Sequence, residues 1–503
     1  MKATCITIGC ILLLISVPLN TGRLVDYESF FSPRDCMSYA FDFENEADQT
    51  MIETSSKLTM LNNDEWWIQT VDSTGRSGRY TALDLDSKGY PHISYCREDS
   101  GGFVKYAHWN GMNWEIETID TGSGGTYGNV TTTSIVVDPE DHPHLVYAKP
   151  PNHVKYAYWD GEKWSYDTII TKDGIYGSVD IALDAENHPH ISYCDGYGKY
   201  HVRYAYFNGL TWSNEVVDES CRGGIHNTIC LDSCDNPCIA YSSVPMRRIK
   251  FACKSVDLTD NWNISIVDSS YSGYYFYPSL RLDSNDFPHI GYFDIESFTL
   301  KYAYFSGETS NWNVSNVVSD EKVGFSYSLA LSSDNRPFLI FQELTEKNLC
   351  MISWHDGTWE KEIIDSDGLV GCCSKIVLDT NDLPCISYRD EEKGNLKFAR
   401  MQPFSIKCMK PENAIYVNNN KLCRFPIPFV IGSIDITVLI ENNEYIINHV
   451  DVFVDDVFQI KLLDEPYVYQ WDTVCFGPYV IKMIATDEQG NQALKLVDVW
   501  KIF

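Results

Sequence analysis

Basic side chains are scarce: 39 Lys and Arg stand against 70 Asp and Glu in 503 residues, a formal net charge of −31. Nucleic-acid phosphates and anionic lipid surfaces require clustered cations, so neither is expected as a main partner. Long apolar runs are also missing, except Ile6–Val17 near the start. That run is too short for a comfortable spanning helix, but with Lys2 before it and Pro18 after it the segment reads as an export signal over residues 1–22. No small-x-small pattern precedes Gly22, so retention as an uncleaved anchor stays open. No segment sustains helical periodicity. The cysteine spacings in the crowded stretch Cys221, Cys230, Cys234, Cys238 and Cys253 lack the paired knuckles of a zinc site. No metal and no cofactor is expected.

What is present is aromatic and repetitive. Tryptophans at 67, 114, 164, 212, 262, 312 and 359 recur at steps of 47 to 50 residues. Each opens an alternating run, as in Trp67–Asp72. A Gly- and Tyr-rich loop then leads into a second run such as Ser178–Asp184. A turn bearing Asp, Asn or Gly leads to Pro-His-Ile-Ser-Tyr, at 91–95 and again at 189–193, and a fourth run resembles Val154–Trp159. Period-two alternation broken by turn residues means four short strands per unit. Seven such units predict an all-β chain with a seven-bladed β-propeller over 64–402, because a four-stranded sheet must cover both faces with neighbours. Trp67–Asp72 has no hairpin partner before it, and the last repeat has only three strands. The first strand is therefore expected to complete the last blade.

Residues 23–63 read as an acidic arm or linker, and 404–503 carry another set of about seven short strands, which predicts an immunoglobulin-like β-sandwich. The motifs Val450–Asp455, Tyr469–Asp472 and Ala485–Asn491 resemble those of bacterial-type immunoglobulin-like domains. The ring, with its Ala-Leu-Asp, Pro-His-Ile-Ser-Tyr and Lys-Tyr-Ala pattern, resembles uncharacterised secreted β-propeller repeat proteins of bacteria and archaea. Turns such as Asp86–Pro91 resemble the Asp-boxes of sialidase-like propellers. Those boxes are structural, and the chain's arginines fall at unmatched repeat positions, so sialidase chemistry is not implied. The resemblances bear on fold and bring no activity.

Repeated residues are best explained as framework. Asp86, Asp138, Asp184, Asp232, Asp283 and Asp379, with Ser332 in the sixth unit, can accept the amides of the turn that follows. His92, His144, His190 and His289 occupy one position in separate blades, which favours packing over a metal site or acid–base chemistry. Binding residues must break this symmetry. The loops before each innermost strand carry Tyr176, His226, Tyr274, Tyr275 and Tyr277, and acids follow the second strands at Asp195, Asp294, Glu343 and Asp390. Aromatic faces beside carboxylates suit sugar recognition, although acids at such points also cap turns.

Two readings stay open. One is a secreted or cell-surface, non-catalytic binding protein whose propeller recognises an extracellular glycan or protein. The other is a polysaccharide hydrolase or lyase, which needs two carboxylates, or a set of His, Tyr and Arg, converging near the axis. The residues favour the first. Export would also suit disulfides among the cysteines and glycosylation at the sequons Asn129, Asn263 and Asn313.

Overall fold

The chain was described from a computed structural model. It divides into residues 1–61 and 62–503. The structure describes residues 66–503 apart from the loop residues 99–101, 122–131, 150–152, 171–173, 197–199, 221–223, 244–247, 255–260, 270–276, 295–296, 319–322, 442–444 and 489. The expected export signal and acidic arm lie outside the described residues, as do Asn129, Tyr274 and Tyr275.

All described regular elements are strands. Residues 66–401 form seven four-stranded antiparallel sheets, a repeated propeller-like fold. The first sheet runs Arg79–Leu85, Pro91–Arg97, Phe103–Trp109 and Trp114–Thr121 in order from its inner strand to its outer strand. The other six inner strands are Thr133–Val137, Ile175–Leu183, Asn227–Leu231, Ser279–Leu282, Val323–Leu331 and Val370–Leu378. Each inner strand touches the next, and the last touches the first. The outer strand of the seventh sheet is β1 (Trp66–Asp72), which pairs antiparallel with Asn395–Met401.

Register corrects one expectation. Trp66 lies opposite Met401, as Trp114 lies opposite Trp109, so Trp66 and not Trp67 is the equivalent of the repeated tryptophans. The indole N–H of six of these rings donates to the outer strand of the preceding sheet, as Trp66 does to Glu362, Trp114 to Gln69 and Trp262 to Glu215. Because side chains alternate along a strand, Trp67 points the other way and packs against Phe453, Ile484 and Leu494 of the C-terminal region. Spacing alone could not separate two adjacent tryptophans.

Three repeated devices brace the ring, the first and third by joining neighbouring sheets and the second within each sheet. In the turn after each inner strand, one carboxylate oxygen of Asp86, Asp138, Asp184, Asp232, Asp283 or Asp379 accepts two backbone N–H groups. The Ser332 hydroxyl accepts one in the sixth sheet. Side chains from these turns reach the next: Ser87 donates to Asp141, Ser233 to Asp286 and Ser333 to Asp382. The accepting residues sit at positive φ, where Asp and Asn are tolerated.

The second device is a histidine clamp. His144 lies between the hydroxyl of Tyr156 (2.5 Å) and the Asp138 carboxylate (3.3 Å), and His190 is held the same way by Tyr204 and Asp184. The third is the deepest. The buried tyrosine ending the Ile-Ser-Tyr motif donates across a sheet boundary to an aspartate closing the previous outer strand. Tyr95–Asp72, Tyr147–Asp120, Tyr241–Asp218, Tyr292–Asp268 and Tyr388–Asp365 do so at 2.6 to 2.9 Å. A lysine completes each: Lys105, Lys149, Lys250, Lys301 and Lys397. Each hydrogen bond to the charged group contributes about 1.5–3 kcal/mol.

Residues 405–502 form a three-stranded and a seven-stranded sheet around one core of Ile406, Ile436, Trp471, Val450, Val452, Ile481 and Met483. This pair of sheets meets the ring through Trp67, through Lys482 donating to the Met112 carbonyl, and through the Leu494 amide donating to Gln402. The thirteen described cysteines are free thiols.

Deleting residues 64–73 is expected to lower the melting temperature strongly. It leaves Asn395–Met401 as a bare edge and removes both the Trp66–Glu362 and Tyr95–Asp72 bonds. Deleting 23–60 should not. Calorimetry of the two truncations checks this, and equal losses would contradict the role assigned to β1.

Acid should act in two stages. Burial lowers the pKa of His144, His190 and His289 from the ordinary 6.5, although Asp138, Asp184 and Asp283 partly oppose it. The unfolded chain therefore binds protons on these rings at a pH where the folded chain does not, and stability should fall as pH drops below about 6.5. Burial alone would raise Asp72 and Asp218, but the bonds from Thr74 and Tyr95, and from Lys250, Ser220 and Tyr241, carry them below the ordinary 3.8. Their contribution is present above that value and lost as pH falls through the folded-state pKa. Chemical denaturation across pH 7 to 3 should show both losses.

Candidate functional site

Antiparallel pairing puts the start of each inner strand at the same end of its sheet as the finish of the second strand. Ile175 faces Asp195, Val323 faces Glu343, and Val370 faces Asp390. The acids expected from the sequence, and the start of every inner strand, thus share one end of the ring.

The four acids are individually engaged. Asp195 is fully buried, accepts the His201 amide and pairs with Arg203 at 2.9 Å. Asp294 is buried and pairs with Lys301 at 3.1 Å. Glu343 accepts the amides of Thr345 and Glu346, and Asp390 accepts that of Lys393. Each belongs to its own sheet and holds the loop that follows it. The structure does not bring them together around one point.

It does bring two aromatics together. His226 precedes the inner strand of the fourth sheet, and its carbonyl accepts the Ser242 amide. Tyr277 precedes that of the fifth. Their rings lie 3.6 Å apart between centroids at 35°. Tyr277 remains 36% exposed, while burial pushes the His226 imidazole down to about 3. The pair is a neutral aromatic surface with one open face. For Tyr176 the backbone is described, on the strand Ile175–Leu183.

At the same end a charged cluster spans the junction of the first and seventh sheets. Glu98 pairs with Arg79 and with Arg389 at 3.1 Å, and Arg76 approaches at 3.5 Å. Arg389 is buried. The guanidinium fork is suited to an anion, but here Glu98 occupies it.

A group that the sequence reading did not single out lies on the inner strands themselves: Asp84, Asp180, Arg281 and Lys375, on the first, third, fifth and seventh sheets. The signal was available. These are charged residues at inner-strand positions where other repeats carry Ala, Ser, Thr, Val or Cys, which is the same break of symmetry sought in the loops. Burial raises the Asp84 carboxyl, opposed by the Val137 and Leu85 amides, His92 and Arg281. Burial lowers Lys375, opposed by Asp180 and Asp84 and reinforced by Arg281.

Two carboxylates near the axis are what hydrolysis would need, but these two are occupied. Asp180 accepts from Ser134 and the Ile181 amide on one oxygen, and from Thr228 and the Ile229 amide on the other. All four of its lone-pair positions are used, tying the second, third and fourth sheets. Asp84 accepts the Val137 amide of the second sheet at 2.8 Å. The axial carboxylates work as sutures. Among the described residues no group of three metal-ligating side chains converges.

No family model matches the chain, and no curated protein matches it. Solved structures with partial similarity include AofleA from Arthrobotrys oligospora, at 14% identity and a TM-score of 0.43, covering 60% of this chain and 90% of that one. A protein of unknown function from Dyadobacter fermentans aligns at 9% identity and a TM-score of 0.43, covering 67% and 98%. An Aleuria aurantia lectin variant, solved with α-methyl-L-fucoside, aligns at 14% identity and a TM-score of 0.40, covering 58% and 96%. Similarity at this level carries no argument about a ligand.

The geometry of the aromatic pair can be checked directly. In the intact chain the His226 ring should show no titration between about pH 4 and 8 by NMR. In Tyr277→Ala, which opens that ring to water, its midpoint should move up toward 6.5. A wild-type midpoint near 6.5 would contradict the burial.

Proposed function

We propose that the chain is a secreted or cell-surface, non-catalytic binding protein whose ring recognises an extracellular glycan. In this reading the seven sheets are the blades of a closed seven-bladed propeller. The C-terminal pair of sheets is an immunoglobulin-like sandwich that spaces the ring from its attachment. The observation that carries the reading is the tilted ring contact of His226 with the partly exposed Tyr277. It breaks the repeat, keeps one aromatic face open, and stands at the end where the loops differ most. Tyr176, Tyr274 and Tyr275 belong to the same loop set and would extend the platform. Sugar C–H faces stack on such rings, while buried Asp195, Asp294, Glu343 and Asp390 hold the loops in place.

The net charge of −31 repels sulfated and uronate-rich chains at long range, so a neutral glycan is the favoured class. Hydrolase or lyase chemistry finds less support, since Asp180 already accepts four hydrogen bonds and Asp84 is tied to the Val137 and Leu85 amides.

A glycan array with parallel assay of reducing-sugar release tests the reading. Binding of neutral glycans without release is expected. Tyr277→Ala should weaken it several-fold, on the order of 1 kcal/mol, and the change should depend little on salt. Variants of the opposite end, such as Lys163→Ala in the hairpin before Trp164, should bind as the wild type does. Release of sugar by the wild type, or full affinity in Tyr277→Ala with loss in Lys163→Ala, would overturn the proposal.

A further inference from the structure

Adjacent residues of a strand normally send their side chains to opposite faces. Cys372 and Cys373, on the inner strand of the seventh sheet, do not. Their sulfurs lie 3.3 Å apart. The cause is local: the pairing with the second strand slips on both sides of Cys372, and Cys373 takes a φ of +56°. Such a bulge with a left-handed residue re-aims a side chain. The first sheet has the corresponding irregularity, with Tyr80 at φ +52°, so the bulge belongs to the framework. Only the seventh sheet fills it with two thiols.

The surroundings make one of the two reactive. Cys373 accepts a hydrogen bond from Cys372 and another from the Tyr80 backbone, and the guanidinium groups of Arg389 and Arg79 face it. Against its burial, these lower the Cys373 thiol, while its partner Cys372 is driven up by the shared hydrogen bond, by burial and by Glu391. Tyr80, Glu98 and Cys96 are the other charged and titratable groups around Arg79. By contrast, burial pushes the Cys96 and Cys385 thiols up to about 12. Both adjacent cysteine residues keep partial exposure, unlike the buried Cys96 and Cys385. Two thiols in contact, one of them acidified by neighbouring guanidinium groups, are the arrangement of an exchange-active dithiol.

We propose that Cys372 and Cys373 are a redox-active pair that closes to a vicinal disulfide by exchange with a low-molecular-weight disulfide. The Cys373 thiolate attacks one sulfur of the small disulfide, forming a mixed disulfide and expelling one thiolate. Cys372 loses its proton and attacks the Cys373 sulfur, forming the Cys372–Cys373 bond and expelling the second thiolate. The protein loses two electrons and two protons, and the small disulfide is reduced to two thiols. The ring so formed would lock the bulge where the Thr81 hydroxyl of the first sheet donates to the Cys373 carbonyl. The state of the pair would then stiffen or relax the junction closed by β1.

The test uses the full chain, reduced, desalted, and incubated with oxidised glutathione before alkylation and trypsin. Cleavage after Lys361 and Lys375 isolates residues 362–375, whose only cysteines are this pair. Cys238 and Cys253, cross-strand partners with sulfurs 2.7 Å apart, fall on other peptides and do not confuse the readout. The peptide 362–375 is expected to be two hydrogens lighter, without alkyl groups and without retained glutathione. Cys372→Ser should trap glutathione on Cys373, and Cys373→Ser should react roughly tenfold more slowly at neutral pH. Two alkylated cysteines after oxidation, cross-linking of this peptide to another cysteine, or equal trapping in the two variants would overturn the proposal. The wild-type arm stands even if a variant fails to fold.

Discussion

The structure depends on a buried hydrogen bond repeated around the ring: a tyrosine hydroxyl on the second strand of one sheet donates to an aspartate ending the outer strand of the sheet before it. A four-stranded sheet has two apolar faces and cannot hide them alone. Apolar packing presses neighbours together but does not fix their rotation or height. The tyrosine–aspartate bond does, because it is short, charged and surrounded by protein. The lysine beside it balances a carboxylate whose burial would otherwise be costly. The closing strand β1 supplies Asp72 to this set, so the junction of the first and seventh sheets uses the same bond as the others.

Variation at the two remaining boundaries shows how far the device can be relaxed. In the third sheet Tyr193 accepts from Asn214 of its own sheet, and Arg203 turns to Asp195. In the sixth, Phe341 stands in the tyrosine's place, fully buried in an apolar cluster with Leu329, Leu339 and Ile352. The axis shows a further solution. Asp180 ties three successive sheets with four hydrogen bonds, and opposite charges at Arg281 and Lys375 offset it. With so many polar groups consumed in holding the ring, the surface left for recognition is the part that breaks the repeat. That part is the His226–Tyr277 ring pair and the loops beside it.

Period-two alternation, turn residues at each break and a step of 47 to 50 residues were enough to read the all-β repeat, because each depends only on neighbours in the chain. The framework role of the turn aspartates and of the histidines was legible for the same reason: a residue that recurs at one place in most units, aspartate in six of seven and histidine in four, answers to a local need. What the sequence could not decide depends on register and on packing across sheets. The choice between Trp66 and Trp67 turns on a one-residue difference in pairing, which inverts the face of every side chain. Whether Asp195, Asp294, Glu343 and Asp390 face a ligand or their own loops turns on cations, such as Arg203 and Lys301, that pairing places beside them. The meeting of Asp84, Asp180, Arg281 and Lys375 joins residues far apart in the chain, and only ring closure makes them neighbours. Local order was written in local pattern. The electrostatic partners were set by the tertiary structure, since charge interactions follow distance in space and not separation along the chain.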